Sequence, residues 1–434
     1  MPDARICVVG GGAAGTAAAL RGARLGAEVL LVERDDLGGA WARCGAAPGA
    51  AVTAALRQGV PPPWPELREA ARAAGADLRA RLADELADHG VTVLAGDATL
   101  LGPGTVAVDT GAERVEVNAP TLVLAPGSEP ARPPGLDFRD PRVIDASQLM
   151  ALPELPARAV VIGGGPIAIG LADTLAGLGV RVVLAVPGDG PLADEEPRAV
   201  AALVAGLSAG GVQVVTGAPL EDAEPEGAQL RVRLGNGTIH PADLVVAASG
   251  RVPAVAELDL AAAGVEADGD GFVAVDEHMH TGSADVYAAG DLLRGPAMSH
   301  LARAQGERAV EHALGAGRRR DLGTVPRVVW GRTALAAVGL TARRAESLGR
   351  EVDVVANAPG AAVSAGRPSL ALLTVDRASG LVLGASAVGD GAAELIAGVA
   401  LPISWGCTAA ELATVVPPGP GLAESLAEAA ERAA

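Results

Sequence analysis

Residues 6–33 read ICVVGGGAAGTAAALRGARLGAEVLLVE, and this stretch decides how the rest of the chain is interpreted. A short apolar run leads into Gly10, Gly12 and Gly15, an alanine-rich segment follows, and a second apolar run ends at Glu33. This order predicts a strand, a glycine turn, a helix and a second strand. The three glycines allow a tight turn, close approach of a pyrophosphate and close helix packing, respectively. In such an arrangement the helix N-terminus faces the phosphates of a dinucleotide, and the carboxylate of Glu33 faces its ribose hydroxyls. The stretch therefore predicts a dinucleotide site.

The composition limits the class of protein. A chain of 434 residues is long enough for two or three domains with their own cores. The net charge of −18 argues against a nucleic-acid or anionic-membrane partner, and no uninterrupted apolar run predicts a membrane span or a signal peptide. Three cysteines without metal-ligand spacing predict no metal site and a reducing, cytoplasmic setting.

The opening pattern returns at residues 159–186, which read AVVIGGGPIAIGLADTLAGLGVRVVLAV. The small positions of this second copy are Gly163, Gly165 and Ala168. Val186 stands where the spacing of the first copy places its acidic residue. The first two-thirds of the chain is therefore predicted to be an internal repeat of two dinucleotide folds, the second inserted into the first. From about residue 325 the pattern changes to antiparallel strands with helices, which predicts an α+β domain.

With two dinucleotide folds followed by an α+β domain, the chain resembles the class I pyridine nucleotide-disulfide oxidoreductases. This family includes lipoamide dehydrogenase, glutathione reductase and mercuric reductase. Besides the two glycine turns, the motifs that carry the resemblance are residues 38–39, 125–127, 249–253, 287–291, 298–301 and 381–389. The resemblance runs nearly end to end. It implies FAD on the first domain, NAD(P)H on the second and a homodimer through the third.

The expected fold class is α/β, with two nested Rossmann-like dinucleotide-binding domains plus a C-terminal α+β dimerisation domain. The expected boundaries are residues 1–150 for the first part of the FAD-binding domain, 151–275 for the NAD(P)-binding-like domain, 276–322 for the returning segment of the FAD-binding domain, and 323–434 for the dimerisation domain. A small-molecule substrate is expected, with no nucleic-acid or membrane partner.

The resemblance also implies which residues hold the cofactors. Those for FAD are Gly10, Gly12, Ala14, Gly15, Glu33, Gly39, Ala125, Gly127, Gly290, Asp291 and His300. Asp291 is expected to bond the ribityl and pyrophosphate region, and His300 to lie near the pyrimidine edge of the flavin. Those for NAD(P) are Gly163, Gly165 and Ala168. Because Val186 replaces the ribose-binding acid and no arginine follows it, nucleotide binding and the choice between NAD and NADP are left open.

The redox groups of the family do not align with this chain. The family has a CxxxxC pair just after the two glycines, and here Trp41 and Ala46 stand at those positions. Cys44 lies between them, and helical geometry is expected to point it elsewhere. In the tail, Gly419 stands at the position of the catalytic histidine and Glu424 at that of its glutamate partner. The family's lysine and glutamate ion pair is replaced as well, by Ala50 and Gly170.

These replacements predict an FAD-dependent oxidoreductase that has lost disulfide reductase chemistry. We expect it to oxidise or reduce a C–C or C–N bond of a small organic molecule directly at the flavin, in specialised biosynthesis. One alternative is a non-redox protein with structural FAD: a pseudoenzyme, a partner subunit or a catalyst of a redox-neutral step. A third interpretation keeps Cys44 as a lone nucleophile, similar to the single-cysteine relatives such as coenzyme A-disulfide reductase, but its register favours a buried structural cysteine. No residue is assigned as catalytic; the candidates are Trp41, Cys44, His300 and Glu424. The substrate, the pathway, the electron acceptor and the redox cycling of FAD are left open.

Overall fold

A computed structural model describes residues 5–57, 59–317, 322–360 and 367–434 of the chain. They form two compact units, each assembled from separated stretches of sequence. The first unit comprises Met1–Val52, Pro65–Ala131 and Arg251–Leu322, and the second comprises Thr53–Trp64, Arg132–Gly250 and Gly323–Ala434. Both units contain helices and strands, in agreement with the α/β class expected from the sequence.

The strands and helices are numbered along the chain. The strands are β1 (Ile6–Val9), β2 (Val29–Glu33), β3 (Thr92–Ala95), β4 (Asp97–Gly102), β5 (Thr105–Asp109), β6 (Arg114–Asn118), β7 (Thr121–Leu124), β8 (Ser128–Pro130), β9 (Val143–Asp145), β10 (Arg158–Ile162), β11 (Arg181–Ala185), β12 (Val212–Val215), β13 (Leu220–Glu226), β14 (Gln229–Leu234), β15 (Ile239–Ala242), β16 (Leu244–Ala247), β17 (Arg251–Pro253), β18 (Val286–Ala288), β19 (Arg327–Val329), β20 (Leu335–Gly339), β21 (Val352–Asn357), β22 (Leu370–Asp376) and β23 (Val382–Val388). The helices are α1 (Ala13–Arg24), α2 (Gly39–Arg43), α3 (Ala46–Arg57), α4 (Trp64–Asp88), α5 (Pro166–Gly177), α6 (Pro197–Ala209), α7 (Ser299–Ala313), α8 (Ala342–Ser347), α9 (Ala392–Ser404), α10 (Ala409–Leu412) and α11 (Leu422–Ala433).

The main sheet of the first unit is parallel and has the strand order β18-β7-β1-β2-β3. Its central strand β1 is buried at every residue, because both faces of the sheet are covered and no polar alternation is needed. Helix α1 packs closely on α7: a Cβ atom at Gly306 would lie 2.1 Å from the carbonyl oxygen of Ala14. The two helices therefore touch backbone to backbone at the turn that begins α1.

The second unit repeats the arrangement of the first. Its parallel sheet has the order β12-β11-β10-β16-β9, with α5 connecting β10 to β11 as α1 connects β1 to β2. A second, antiparallel sheet in this unit has the order β19-β20-β23-β22-β21. Its apolar side chains share a core with those of α9 and α11, including Ile396 and Leu426. This is the sheet with helices that the sequence predicts after residue 325.

The chain leaves the first unit just after β8 and returns to it with β17. β17 pairs antiparallel with β8, with Arg251 opposite Pro130 and Pro253 opposite Ser128. The main-chain N–H of Ala254 adds a hydrogen bond to the carbonyl of Gly127 at 3.1 Å. The domain boundaries expected from the sequence stay a prediction; within the compact units the return already begins at Arg251.

Candidate functional site

The glycine turn between β1 and α1 is fixed by packing. Gly10 has φ +100°, and a Cβ atom there would lie 2.2 Å from the carbonyl oxygen of Ala125 at the end of β7. A Cβ atom at Gly15 would lie 1.7 Å from the carbonyl oxygen of Gly10. Neither position can carry a side chain without moving the backbone. These two glycines therefore hold the turn, the helix and the neighbouring strand together.

Gly12, between them, faces open space. Its backbone is extended (φ −74°, ψ −164°), it is the N-cap of α1, and no protein atom lies within 4 Å of the point where its Cβ would be. No acidic residue occupies the first turn of α1, so nothing there competes for the positive end of the helix. Gly39 borders the same space, with its Cβ position 3.2 Å from the Cα of Gly12. The turn thus forms an open cradle of the kind that receives a pyrophosphate.

Glu33 closes one side of this cradle. Its carboxylate accepts a hydrogen bond from the main-chain N–H of Gly11 through Oε2, and one from the N–H of Asp35 at 2.8 Å through Oε1. Two main-chain donors therefore fix the carboxylate at the end of β2 before any ligand arrives. A fixed acceptor in this place is suited to ribose hydroxyls.

The opposite side of the cradle comes from β7, β18 and α7. Ala14 is buried with Ala125, Ala289 and Ala302, and the Cβ position of Gly290 lies 3.1 Å from the Cβ of Ala14. The N–H of Gly290 donates to Oε1 of Gln305 on α7 at 3.0 Å.

Two further residues expected at the cofactor follow Ala125 and Gly290 closely in the chain. Gly127 has open space around its Cβ position, and the side chain of Asp291 is one-quarter exposed. The structure thus brings together the expected FAD residues from Gly10 to Asp291. His300 lies exposed in the first turn of α7, and its role stays a prediction.

The segment after Gly39 contains the expected redox positions. Trp41 lies in α2, half-buried, with the guanidinium of Arg303 over its ring at 5.4 Å from the centroid. Helix α2 ends at Arg43, and Cys44 follows with a non-helical backbone (φ −144°). Helical geometry applies only up to Arg43, because α2 ends there and α3 begins at Ala46, so the direction expected for Cys44 stays a prediction. Cys44 is half-buried, with its Sγ 3.7 Å from the carbonyl oxygen of Ala40.

The other two cysteines lie in less reactive surroundings. Cys7 is buried in the centre of β1, and desolvation raises the pKa of its thiol to about 12. Burial, followed by the charge of Glu411, raises the pKa of the Cys407 thiol. None of the three cysteines forms a disulfide. Within the residues that the structure describes, no group of three His, Cys, Asp or Glu side chains could hold a metal ion.

The second glycine turn, between β10 and α5, has the same geometry as the first. A Cβ atom at Gly163 would lie 2.2 Å from the carbonyl oxygen of Ala248 and 3.2 Å from the Cβ of Ala168, whereas the surroundings of Gly165 are open. The Cβ position of Gly164 lies 2.9 Å from Cγ1 of Val186, just as that of Gly11 lies 2.9 Å from Oε2 of Glu33. A buried valine therefore occupies the place of the acid, as the sequence spacing predicts.

The tail residues lie in the second unit. A Cβ atom at Gly419 would lie 2.7 Å from Oε1 of Glu424, so the carboxylate of Glu424 covers Gly419. Gly170, on α5, has its Cβ position 3.1 Å from the carbonyl oxygen of Trp330, which leaves little room for a larger side chain. The catalytic roles of Trp41, Cys44 and Glu424 stay predictions.

Sequence reasoning missed three polar residues at the site. Ser128 donates a hydrogen bond to Asp291, Arg251 donates to Ser128, and Gln305 accepts from Gly290. For the first two, the sequence held a signal, since Ser128 directly follows residues 125–127 and Arg251 lies within residues 249–253. The identity of their partners could only come from the folded chain.

Comparison with known proteins places the chain in a family. Residues 4–306 match the family described as pyridine nucleotide-disulphide oxidoreductase, and residues 325–430 match the dimerisation domain of the same family. The chain belongs to the pyridine nucleotide-disulphide oxidoreductase family. The resemblance inferred from the motifs and the fold class are confirmed. The family comprises FAD-dependent oxidoreductases that use NAD(P)H, so the expectation of FAD as cofactor is confirmed as well.

Relatives span the whole chain. A dihydrolipoyl dehydrogenase of Thermus scotoductus is 33% identical over 98% of this chain and 96% of its own length. A mercuric reductase of Acidithiobacillus ferrooxidans is 30% identical over 99% of this chain and 82% of its own. Among solved structures, LpdA from Mycobacterium tuberculosis superposes with a TM-score of 0.90 at 26% identity, over 99% of each chain.

These names contradict the function expected from the sequence. The relatives that span the chain carry the names of enzymes of the disulfide reductase family. The expectation that this chain has lost disulfide chemistry and acts on a C–C or C–N bond is therefore wrong. The non-redox alternative is wrong as well. The physical reason is that replacing the family's two cysteines by Trp41 and Ala46 still leaves one thiol, Cys44, in the same segment. Nothing in the comparisons supports a biosynthetic pathway. No helix among the described residues is long and apolar enough to cross a membrane.

Proposed function

We propose that this chain is an FAD-dependent oxidoreductase that transfers two electrons from NAD(P)H to a small disulfide. The observation that carries the proposal is the open cradle at Gly12, with its fixed carboxylate at Glu33, in a chain that matches the family from end to end. The disulfide as acceptor is supported by the names of the full-length relatives. The balance is one NAD(P)H, one proton and one disulfide giving NAD(P)+ and two thiols.

The first unit would hold FAD through the residues around the cradle. Gly12 and the N-terminus of α1 admit the pyrophosphate, Glu33 accepts from the adenosine ribose, and Asp291 accepts from the far side. When bound, FAD supplies hydride acceptance from NAD(P)H and two-electron transfer onward. The turn at Gly163–Gly165 in the second unit would bind the pyrophosphate of NAD(P)H.

Cys44 is the proposed thiol of the reaction. It is half-buried, stands five residues beyond Gly39 at the cradle, and shares the first unit only with Cys7, whose buried thiol stays protonated at neutral pH. Its thiolate would attack the substrate disulfide, breaking that S–S bond, forming a mixed disulfide and releasing the first thiol. Two electrons from NAD(P)H, which bound FAD would pass on, and one proton then release the second thiol and restore the Cys44 thiolate. This route uses one protein thiol rather than the family's pair.

Two copies of the chain are proposed to associate through the second unit, in a reducing cytoplasm. Residues 325–430 match a dimerisation domain, and large apolar side chains of that region are exposed: Trp405 at 77%, Leu401 at 53% and Val416 at 92%. Exposed apolar groups of this size support burial against another copy. Sedimentation at micromolar concentration would give a dimer mass, and a monomer mass would contradict this proposal.

The test uses purified protein with its flavin. Anaerobic NADH or NADPH should bleach the visible flavin absorbance, and lipoamide should restore it as two thiols appear. Cys44→Ser should keep the bleaching and lose thiol production, whereas the matched Cys407→Ser should keep both. A flavin that neither nucleotide reduces would overturn the oxidoreductase proposal. Unchanged thiol production by Cys44→Ser would overturn the role of Cys44 alone.

A further inference from the structure

Ser128 lies between two charged residues of the first unit, Arg251 and Asp291. Its hydroxyl donates a hydrogen bond to Oδ2 of Asp291 at 2.6 Å, and Nε of Arg251 donates to the same hydroxyl at 2.7 Å. Nη2 of Arg251 also donates to the main-chain carbonyl of Ser128. Nε of Arg251 lies 3.5 Å from Oδ2 of Asp291, and the two side chains are 17% and 25% exposed. The three residues form one short, largely buried chain of polar contacts.

The direction of these hydrogen bonds is fixed by chemistry. A guanidinium has donors and no acceptor, so the Ser128 oxygen must accept from Arg251. A hydroxyl has one proton, and the carboxylate of Asp291 is the acceptor it meets. The charge of Arg251 strengthens the contact from one end and the charge of Asp291 from the other. The rotation of the Asp291 side chain is thereby set by the protein itself.

The second carboxylate oxygen is left for a ligand. Within the described residues, Oδ1 of Asp291 accepts no hydrogen bond. Asp291 also lines a small cavity together with Gly290, Met298, Ala302 and Gln305. Thus Oδ2 is held by Ser128, while Oδ1 has no hydrogen bond within the described residues.

We propose that Ser128 and Arg251 are positioning residues of the flavin site. They hold Oδ2 of Asp291 so that Oδ1 accepts a hydroxyl proton from FAD without first reorganising. Preorganised acceptors bind more tightly because the cost of ordering the side chain has been met during folding. The proposal rests on FAD binding by the first unit and is independent of the electron acceptor and of Cys44.

If Arg251 only stabilised the fold, its replacement would give a different experimental result. Arg251 begins β17, which pairs with β8, so its loss could weaken that small sheet without acting through Asp291. The two roles separate in a double-mutant cycle, because coupling between residues appears only when they act on the same event. The cycle needs Arg251→Met, Ser128→Ala, Asp291→Asn and each of the first two combined with Asp291→Asn.

The measurement is the dissociation constant of FAD, from quenching of flavin fluorescence as apoprotein is titrated in, with the melting temperature of the apoprotein measured alongside. Arg251→Met and Ser128→Ala should each raise the constant about tenfold, the loss expected for one charge-assisted hydrogen bond. Ser128→Thr, which keeps the hydroxyl, should stay within about threefold of the parent. Arg24→Met, which removes an exposed ion pair with Glu85 in the same unit, is the matched control and should change nothing.

In the Asp291→Asn background the further change should be less than about twofold. The proposal is overturned if Arg251→Met has the same effect in both backgrounds, or if it lowers the apoprotein melting temperature with FAD affinity unchanged. If Arg251→Met does not fold, the cycle of Ser128→Ala with Asp291→Asn gives the same test, with Ser128→Thr as the variant that keeps the hydroxyl. Apoprotein of the parent that takes up no FAD would overturn the FAD assignment itself, which is a separate result.

Discussion

The carboxylate of Glu33 accepts a hydrogen bond from the main-chain N–H of Gly11, across the turn that begins the first helix. This contact joins the end of β2 to the loop that leaves β1. Both carboxylate oxygens of Glu33 thus accept a main-chain hydrogen bond, Oε2 from Gly11 and Oε1 from Asp35. The carboxylate of Glu33 is therefore part of the architecture of the turn, in addition to the ribose binding that we propose for it.

We expect Glu33→Gln to weaken FAD binding. The amide presents an N–H group to one of the two main-chain donors, so one hydrogen bond becomes a repulsion and the charge is lost. The dissociation constant of FAD should rise about tenfold, equivalent to about 1.4 kcal/mol. Flavin fluorescence titration of the apoprotein measures it, and the exposed Glu28→Gln is the control. An unchanged constant would show that the ligand does not use this carboxylate.

Two neighbouring glycines should respond differently to alanine. At Gly15 a methyl group would lie 1.7 Å from the carbonyl oxygen of Gly10, so Gly15→Ala should lower the melting temperature of the apoprotein and abolish FAD binding. At Gly12 no protein atom lies within 4 Å, so Gly12→Ala should fold with a nearly unchanged melting temperature and still bind FAD at least tenfold more weakly. Parallel calorimetry and flavin titration test the pair, and full FAD affinity in Gly12→Ala would refute the cradle.

Val186→Glu should increase the affinity for NADH. Val186 occupies the place that Glu33 holds in the first copy, since its Cγ1 lies 2.9 Å from the Cβ position of Gly164 as Oε2 of Glu33 lies 2.9 Å from that of Gly11. A carboxylate there would accept from ribose hydroxyls and repel a 2′-phosphate. The concentration of NADH for half-maximal flavin reduction should fall severalfold, with no gain for NADPH. Val186→Gln, which is close in size and uncharged, is the control for added bulk, and an equal gain for NADPH would contradict the argument.

Asp173→Asn should destabilise the second unit. Oδ1 of Asp173 accepts from Nε and Nη2 of Arg332 at 3.0 and 2.8 Å, and Oδ2 accepts from the main-chain N–H of Arg332. The aspartate is 4% exposed and the arginine 28%, so removing the charge leaves a poorly hydrated guanidinium. We expect a loss of about 2 kcal/mol, less than for a fully buried pair because solvent reaches Arg332.

Urea unfolding followed by tryptophan fluorescence measures this change. Asp194→Asn serves as the comparison, since the pair it forms with Arg343 is exposed and should be worth less than about 0.5 kcal/mol. Equal effects of the two substitutions would show that burial does not set the strength of these pairs.

The three thiols should react in a fixed order with iodoacetamide at pH 8. Burial raises the pKa of Cys7 to about 12, so at pH 8 its thiol is protonated and out of reach. Burial and the charge of Glu411 raise the pKa of Cys407, which should make it slow, and half-buried Cys44 should label first. Raising the pH toward the pKa of Cys407 should speed its labelling, because the thiolate fraction grows. Peptide mass spectrometry gives the order, and early modification of Cys7 would contradict the buried position of β1.

The sequence was sufficient for the repeat and for the cradle, because glycines at a turn and an acid at a strand end have few other physical explanations. Gly10, Gly12 and Gly15 lie as their spacing predicts, and Val186 stands in the place of Glu33. For Cys44 the expected direction stays a prediction. The helix on which it is based ends at Arg43, and Gly45 is the local signal for that end.

The function predicted from the sequence was wrong for a different reason. Trp41 and Ala46 were assigned by motif alignment, and an absent side chain does not identify the chemistry that replaces it. The Ser128–Arg251 contact to Asp291 also escaped notice, since its residues are far apart in sequence and meet only through the pairing of β8 with β17. Long-range polar contacts of this kind have no periodic signal.

Glu424 lies over Gly419, and this makes the two positions dependent on each other. A side chain at 419 would meet the carboxyl group of Glu424, which is the end of a flexible side chain and not backbone. A histidine there would therefore require Glu424 to take another rotamer, while the main chain of the tail stays in place. Because the resemblance implies a histidine and a glutamate side by side at these positions, Gly419→His alone is enough to bring the pair together, and Glu424 need not be replaced.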